Sequence, residues 1–332
     1  MNGQAETFVI INYNAARARV AWARARSVLL DGGIRFDALE AKAKGDAQNA
    51  AREALRAGYK TIAVVGGDGT LGEVVTGFFE REDARTSLAA MTTPTPVNAG
   101  AALALLPAGT GNDFARGLEG ARASLEHWLE RLIKHARQRE SETTTTRAVD
   151  VLQGIIGDDA HPFFCLNAAT LGIGAEVAGR VAAQGQTVRR LSGEARFALA
   201  ALAAIAHWRS RRVRVQIDDA EAFECATNLV AVVNSPFAGG GMMFSPGALL
   251  DDGLLDVVTA SRLTRASLVR EMTRIHNGGH IRNPCVRISR GARVRIKHLT
   301  PADALAVEAD GDVRGHTPLE FRVLAGALRV VV

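Results

Sequence analysis

Cysteine is scarce in this chain. The three present, Cys165, Cys225 and Cys285, lie far apart and form no Cys-x-x-Cys pair. That spacing argues against a zinc site and a disulfide framework and implies free thiols in a reducing compartment. Aromatic residues are only 5%, and with no recognisable nucleic-acid module the sequence gives no reason to expect DNA or RNA as a partner. No apolar stretch approaches the ~20 residues of a bilayer-spanning helix; the longest, Phe197–Ala206, falls well short. A basic-then-apolar leader is also missing, since a strand-like run starts almost at once. The expectation is a cytoplasmic protein with at most transient, peripheral membrane association. No Gly-x-Ser-x-Gly elbow supports serine hydrolase chemistry.

What remains is ordinary globular material, 47% hydrophobic and 23% charged. A length of 332 residues is enough for about two domains, each with its own core. The net charge of +5 is mild; a solvated arginine-rich surface accounts for it, and an affinity for anionic surfaces or nucleotides stays open.

Up to about residue 147 the pattern alternates strand and helix. Strands are expected at Thr7–Asn12, Ile34–Leu39, Thr61–Val65 and Ala101–Leu106. Helices are expected up to Leu30, from Gly45-Asp46-Ala47 to Gly58, after Gly69, and from Ser124 to Arg137. Such alternation implies a doubly wound, parallel α/β sheet with a ligand at the carboxyl ends of its strands. Residues 80–100 read as a surface excursion, and Ser141–Thr146 as a polar hinge, which puts the domain boundary at 147/148. From 148 to 332 the chain is strand-rich, with strands expected among others at Phe163–Ala168, Ala304–Glu308, Leu319–Leu324 and Leu328–Val332 and helices near Glu194–Trp208 and Ala266–His276. An antiparallel, sandwich-like second domain is expected there, and its last strands could pack back on the first domain.

Two glycine-rich segments carry the chemistry. In the first, a run of β-branched residues ends in Gly66-Gly67-Asp68-Gly69-Thr70, and Leu71, Val74, Val75 and Phe78 then fall on one helical face. Glycines let a backbone approach phosphate closely, and a helix start offers free N–H groups. A carboxylate in such a loop would repel its guest unless a divalent cation stood between them, so Asp68 reads as facing Mg²⁺ on a nucleotide. A tight turn with Asp68 as a cap is the alternative. The second segment, Pro107-Ala-Gly109-Thr110-Gly111-Asn112-Asp113-Phe114-Ala115-Arg116, repeats the device at another strand end. Asn112 or Asp113 can cap the helix that follows. No Gly-Lys-Ser/Thr is present, so neither loop is a Walker loop.

Together these segments resemble the diacylglycerol kinase catalytic family, which includes bacterial lipid kinases and sphingosine kinases. NAD kinases share the first motif but not the second. The similarity extends through Gly45-Asp46-Ala47, Phe164-x-x-Asn167, Gly172-x-Gly174-Ala-Glu176-Val177, Gly239-Gly-Gly241, the Pro246–Asp256 run, Gly279-His280 and Asp310-Gly311-Asp312. The resemblance implies an ATP-dependent lipid kinase that transfers the γ-phosphoryl group to a lipid hydroxyl of diacylglycerol, sphingoid or phosphatidylglycerol type. It implies ATP on Gly66, Gly67, Asp68, Gly69, Thr70, Leu71, Gly72, Glu73, Gly109, Thr110, Gly111 and Asn112. Asp310 would accept the hydroxyl proton. A structural Mg²⁺ would take the Asp252 carboxylate and the carbonyls of Leu249 and Leu254.

Each assignment has a plainer competitor. Asp310-Gly311 reads equally as a hairpin turn between strands 304–308 and 319–324. The acidic run at 251–252 reads as a solvated turn. The Phe197–Trp208 helix, followed by Arg209, Arg211, Arg212 and Arg214, suits either an anionic bilayer or internal packing with a solvated basic face. The chain also departs from the family at Tyr13, where proline is usual, at Ala41, at Gly72 and at Asp312. The partners implied are ATP, a lipid substrate, a peripheral membrane surface and, left open, a second copy in a homodimer. The rival functions are an NAD kinase-like phosphotransferase and a nonenzymatic lipid-binding protein on the same fold.

Overall fold

The computed structural model describes residues 5–80, 92–138, 145–157, 162–185, 188, 191 and 193–332. Much of the excursion expected at 80–100 (residues 81–91) and of the hinge at 141–146 (residues 141–144) lies outside the described residues. Two compact units form. One comprises Met1–Asp83, Thr92–Val151 and Ala325–Val332, and the other is built from Leu152–Leu324.

The first unit contains β1 (Thr7–Ile11), α1 (Ala18–Asp31), β2 (Phe36–Glu40), α2 (Asp46–Arg56), β3 (Thr61–Gly66), α3 (Asp68–Gly77), β4 (Ala102–Pro107), α4 (Asp113–Glu119) and α5 (Leu125–Arg137). The strands pair in parallel in the order β2-β1-β3-β4, and Arg329 and Val330 of the C-terminal strand add to β4 in the same sense. Every residue of β3 is buried, the mark of a central parallel strand covered on both faces. Helix α2 buries its alanine face, Ala47, Ala50, Ala51 and Ala54, against α3. The approach is close enough that a Cβ on Gly77 would lie 2.4 Å from the Gln48 carbonyl oxygen. Helix α5 starts where the sequence placed it, since Ser124 accepts the His127 N–H at 3.2 Å.

Register decides what this sheet can do. Strands β3 and β4 run in step from Thr61 beside Ala102 to Gly66 beside Pro107. Both glycine segments therefore leave the sheet at the same level, side by side.

The second unit is antiparallel. The strand β5 (Thr146–Ile156) leads into it, followed by β6 (Phe163–Cys165), β7 (Ala168–Gly172), β8 (Arg211–Ile217), β9 (Phe223–Val233), β10 (Phe237–Ala238), β11 (Met242–Met243), β12 (Leu255–Ser261), β13 (Val286–Gly291), β14 (Arg293–His298), β15 (Ala306–Ala309) and β16 (Asp312–His316). The long β17 (Leu319–Val331) returns to the first unit. The eleven-residue β9 pairs with β7, β8 and β12. Leu171, Val213, Val215, Val230, Val232, Val257, Val294, Val307 and Phe321 form its main core. Among the described residues, α-helices accompany the strands at α6 (Ile173–Ala182), α7 (Gly193–His207) and α8 (Arg265–Arg274).

The α/β and antiparallel β-rich classes are as expected, but several elements differ from the sequence reading. The strand expected at 163–168 is two strands that break at Leu166–Asn167. The segments 319–324 and 328–332 join into a single strand. Helix α6 was not anticipated, because Gly174 and Gly179 weaken its local helix propensity. Packing explains the first: a Cβ on Gly174 would lie 2.7 Å from the Thr170 hydroxyl. Strand β16 was also missed, so Asp310-Gly311 turns β15 into β16 and not into the strand that starts at 319.

Candidate active site

The two glycine loops meet backbone to backbone. A Cβ on Gly109 would stand 2.6 Å from the Gly67 Cα, and one on Gly67 would stand 3.1 Å from the Gly109 Cα. Neither position has room for a side chain. A Cβ on Gly66 would collide with Thr70 at 2.7 Å, so the strand-to-helix turn is equally tight.

Side chains then lock the turns. Asp68, in the first turn of α3, accepts the backbone N–H of Asp113 at 3.0 Å and of Phe114 at 3.1 Å. The carboxylate expected to face a metal thus caps α4, the helix that follows the second loop. Asn112, with φ of 52°, accepts the Gly109 N–H at 2.9 Å and donates to the Gly109 carbonyl at 3.2 Å. Of the two capping candidates, then, Asn112 closes its own loop, and it is Asp68 that supplies the cap. Asn12 donates to the Thr70 hydroxyl at 2.9 Å, which fills that buried group. Glu73 accepts the Gly45 N–H at 3.1 Å and so ties α3 to the Gly45-Asp46 turn. Arg122 donates to the Thr110 carbonyl at 3.1 Å, and the Thr110 residue itself is exposed. Gly66, Gly67, Asp68, Leu71, Leu106 and Asn112 are among the residues lining a small recess where the loops meet. Gly69 and Gly72 take their places in α3, and Gly111 is half-buried. The twelve residues named for ATP therefore belong to two adjoining turns and one helix start.

Asp310 lies in the second unit. It and Gly311 form the two-residue turn between β15 and β16, with φ of 46° and 93°, the left-handed geometry that Asp-Gly favours in hairpins. The turn is also clasped by its neighbours. The Asp310 carboxylate accepts the N–H groups of Leu166 at 2.6 Å, Asn167 at 3.0 Å and Ala168 at 3.4 Å. These donors come from the corner between β6 and β7. The buried Cys165 thiol adds a fourth bond, and burial first and the Asp310 charge second push its pKa well up, so it stays a neutral thiol.

Beneath the turn sits Glu308, which the sequence reading did not single out. Its side chain accepts the Thr170 hydroxyl at 2.7 Å and the Gly311 N–H. Burial pushes its pKa up to about 7, with the Asp310 charge adding to the rise, while the Thr170 and Gly311 hydrogen bonds oppose it. The signal available in sequence was a glutamate at an inward position of an apolar strand, two residues before Asp310.

Asp252 is engaged on both carboxylate oxygens. Its Oδ1 accepts the Leu254 N–H at 3.0 Å and its other oxygen pairs with Arg290. His280 is buried; its Nε2–H donates to the Phe244 carbonyl at 3.1 Å, and burial holds its pKa below the ordinary value. It is a neutral structural group. Among the described residues no three or more His, Cys, Asp or Glu side chains are placed to hold a metal ion, and no helix is long and apolar enough to cross a membrane.

Comparison with known proteins gives the family of the chain. Residues 6–145 match the model of the diacylglycerol kinase catalytic domain, and residues 170–332 match that of the YegS C-terminal NAD kinase beta sandwich-like domain. A Pseudomonas aeruginosa protein named "Probable lipid kinase YegS-like" is 31% identical over 86% of this chain and 81% of its own length. A protein of the same name from Xanthomonas campestris is 29% identical over 91% of this chain and 88% of its own. A solved diacylglycerol kinase from Bacillus anthracis shares the fold at a TM-score of 0.66, with 19% identity over 98% of this chain and 96% of that one. The yeast NADH kinase shares it more distantly, at 0.53, with 10% identity over 99% and 83%. With its paired glycine loops, its Asp-Gly hairpin and these relatives, the chain belongs to the YegS-like lipid kinase family, built on a diacylglycerol kinase catalytic domain.

Proposed function

We propose that this protein transfers the γ-phosphoryl group of ATP to the hydroxyl of a membrane lipid of diacylglycerol, sphingoid or phosphatidylglycerol type. The observation that carries the nucleotide half is the contact of Gly67 with Gly109, held by Asp68. Two strand ends in register present two loops without side chains in the way, beside the first N–H groups of the ten-residue helix α3. Such a surface accepts a polyphosphate through backbone donors and the helix dipole. Exposed Thr110 adds a hydroxyl at the rim.

The donor set suits Mg²⁺ in one respect. This ion keeps several waters and binds through one or two carboxylates plus substrate phosphates. Asp68 retains acceptor capacity beyond its two backbone bonds, and the phosphates would supply the rest. When bound, the ion neutralises charge on the phosphate oxygens.

Asp310 acts on the acceptor. As the lipid oxygen forms its bond to phosphorus and the bond to the ADP oxygen breaks, the hydroxyl proton passes to Asp310. Four donors hold that carboxylate in place and disperse its charge. Its main role is therefore to orient the hydroxyl and take the proton late, which suits phosphoryl transfer, where positioning and electrostatics outweigh base strength.

Peripheral membrane contact is part of the same reading. On α7, Leu199 and Leu202 are 50% and 53% exposed, three residues apart and so on one face. Of the basic residues beyond, Arg212 and Arg214 pair with Glu224 and Arg211 bonds the Ala302 carbonyl. Apolar insertion, more than a charged patch, therefore accounts for docking. The test is γ-labelled ATP with Mg²⁺, the full chain, and a total lipid extract or NAD. Label in a lipid product is expected; label in NAD alone, or in nothing, rejects the proposal.

A further inference from the structure

We propose that the guanidinium of Arg290 is the resident cation of the loop 249–254, so that this loop keeps its conformation and charge balance without the divalent ion that the family resemblance implies there.

The ladder fixes the arrangement. Arg290 on β13 stands directly opposite Asp256 on β12, and its Nε–H donates to the Asp256 Oδ1 at 2.8 Å. The Ser245 hydroxyl donates to the other oxygen of Asp256 at 2.5 Å. From the same fork, the Arg290 Nη2–H pairs with the Asp252 carboxylate. One planar cation thus bridges two carboxylates, the geometry at which arginine exceeds lysine.

Each partner requires the bridge for its own reason. The Asp256 side chain is 4% exposed, and a carboxylate that far from water needs a counter-charge and hydrogen bonds. Asp252 lies in the loop whose carbonyls at Leu249 and Leu254 would complete the ion's ligand set, yet both its oxygens are engaged. A divalent ion on this carboxylate would share it with a permanent positive charge, and like charges at that range repel. Arg290 is 43% exposed, so an isolated pair here would contribute little. The bridge between a buried and a half-buried carboxylate is what gives it weight.

The inference does not depend on the kinase reading, and it is tested without nucleotide. Thermal unfolding of the full chain is followed in EDTA and in millimolar Mg²⁺ or Ca²⁺, with Mn²⁺ binding measured by electron paramagnetic resonance. The wild type is expected to melt at the same temperature in both and to bind no stoichiometric Mn²⁺ that Asp252→Asn removes. Arg290→Gln is expected to melt about 2–4 °C lower in EDTA and to recover part of that loss with Mg²⁺ or Ca²⁺. A wild-type melting temperature that rises with Mg²⁺ and loses the rise in Asp252→Asn overturns the proposal. So does an Arg290→Gln variant that melts like the wild type in EDTA. Should that variant fail to fold, the wild-type Mn²⁺ titration decides alone: one ion lost with Asp252→Asn overturns the proposal, and no such ion supports it.

Discussion

The carboxylate of Asp68 reaches from the first glycine loop to the second, where it accepts the backbone N–H of Asp113 at 3.0 Å. With the Phe114 N–H on its other oxygen, one side chain at the start of α3 caps α4. Phe114 is fully buried, so the cap is anchored by a core residue. The loops are thereby one object: neither can open without breaking the bond that holds the other.

That relationship gives two roles for Asp68 with different signatures. Asp68→Asn keeps one acceptor oxygen and places an N–H₂ group against a backbone donor. Loss of a cap costs about 1 kcal/mol and an unmatched donor somewhat more. Nucleotide affinity measured by titration calorimetry should fall about tenfold for ATP without Mg²⁺, through loss of the cap, and further for MgATP, through loss of the metal-facing carboxylate. An equal loss with and without Mg²⁺ would leave Asp68 the capping role alone.

Gly109 offers a steric version of the same test. A methyl group there would meet the Gly67 Cα at 2.6 Å and the Asn112 side-chain oxygen at 2.8 Å, and the backbone on the far side cannot yield as a flexible side chain would. Gly109→Ala should separate the loops, with a loss of about 1–3 kcal/mol of stability in denaturant titration and of most ATP binding. Gly69, around which a Cβ finds open space, is the control: Gly69→Ala should fold normally.

Much of this was legible from residue order, for physical reasons. Glycines next to a β-branched run mark strand ends that need close backbone approach, and two such ends pointed to a shared site. Sequence could not supply register, because the pairing of Gly66 with Pro107 depends on packing of the whole sheet. The Asp68 cap was read for the wrong helix, since its target lies 45 residues away. Asp310-Gly311 left two readings open, and the structure shows a hairpin turn with positive φ, whose carboxylate is held by three backbone donors from the 166–168 corner. Glu308 escaped notice because a lone glutamate in a strand looks like an edge residue until its burial is known.

Glu308 makes stability depend on pH. Its folded pKa of about 7 exceeds the ordinary carboxyl value of about 4.3, so between those values the folded state holds a proton the unfolded state has lost. Stability should then fall as pH rises from about 4.5 to about 7, by on the order of 3 kcal/mol at most. Glu308→Gln imitates the protonated acid, keeping an acceptor for Gly311 and a group for Thr170. Urea titrations should find it close to wild type at pH 5 and more stable at pH 8. Parallel pH profiles for the two proteins would reject the buried, protonated state.

Asp310→Asn separates holding from proton transfer. Asparagine offers one acceptor to a corner that donates from Leu166, Asn167 and Ala168, so some local stability is lost, about 1–2 kcal/mol. ATP binds through the other unit and its affinity should not change. Lipid phosphorylation should drop by roughly 10²–10⁴, the usual contribution of a positioned proton acceptor. Asp310→Glu would keep the charge on a longer arm, but it puts a bulkier side chain at φ of 46° and cannot reproduce the four bonds. It should therefore lose turnover almost as fully, with the same ATP affinity. Turnover near wild type in the asparagine variant would remove Asp310 from the reaction and leave it as the clasp of the β15–β16 hairpin.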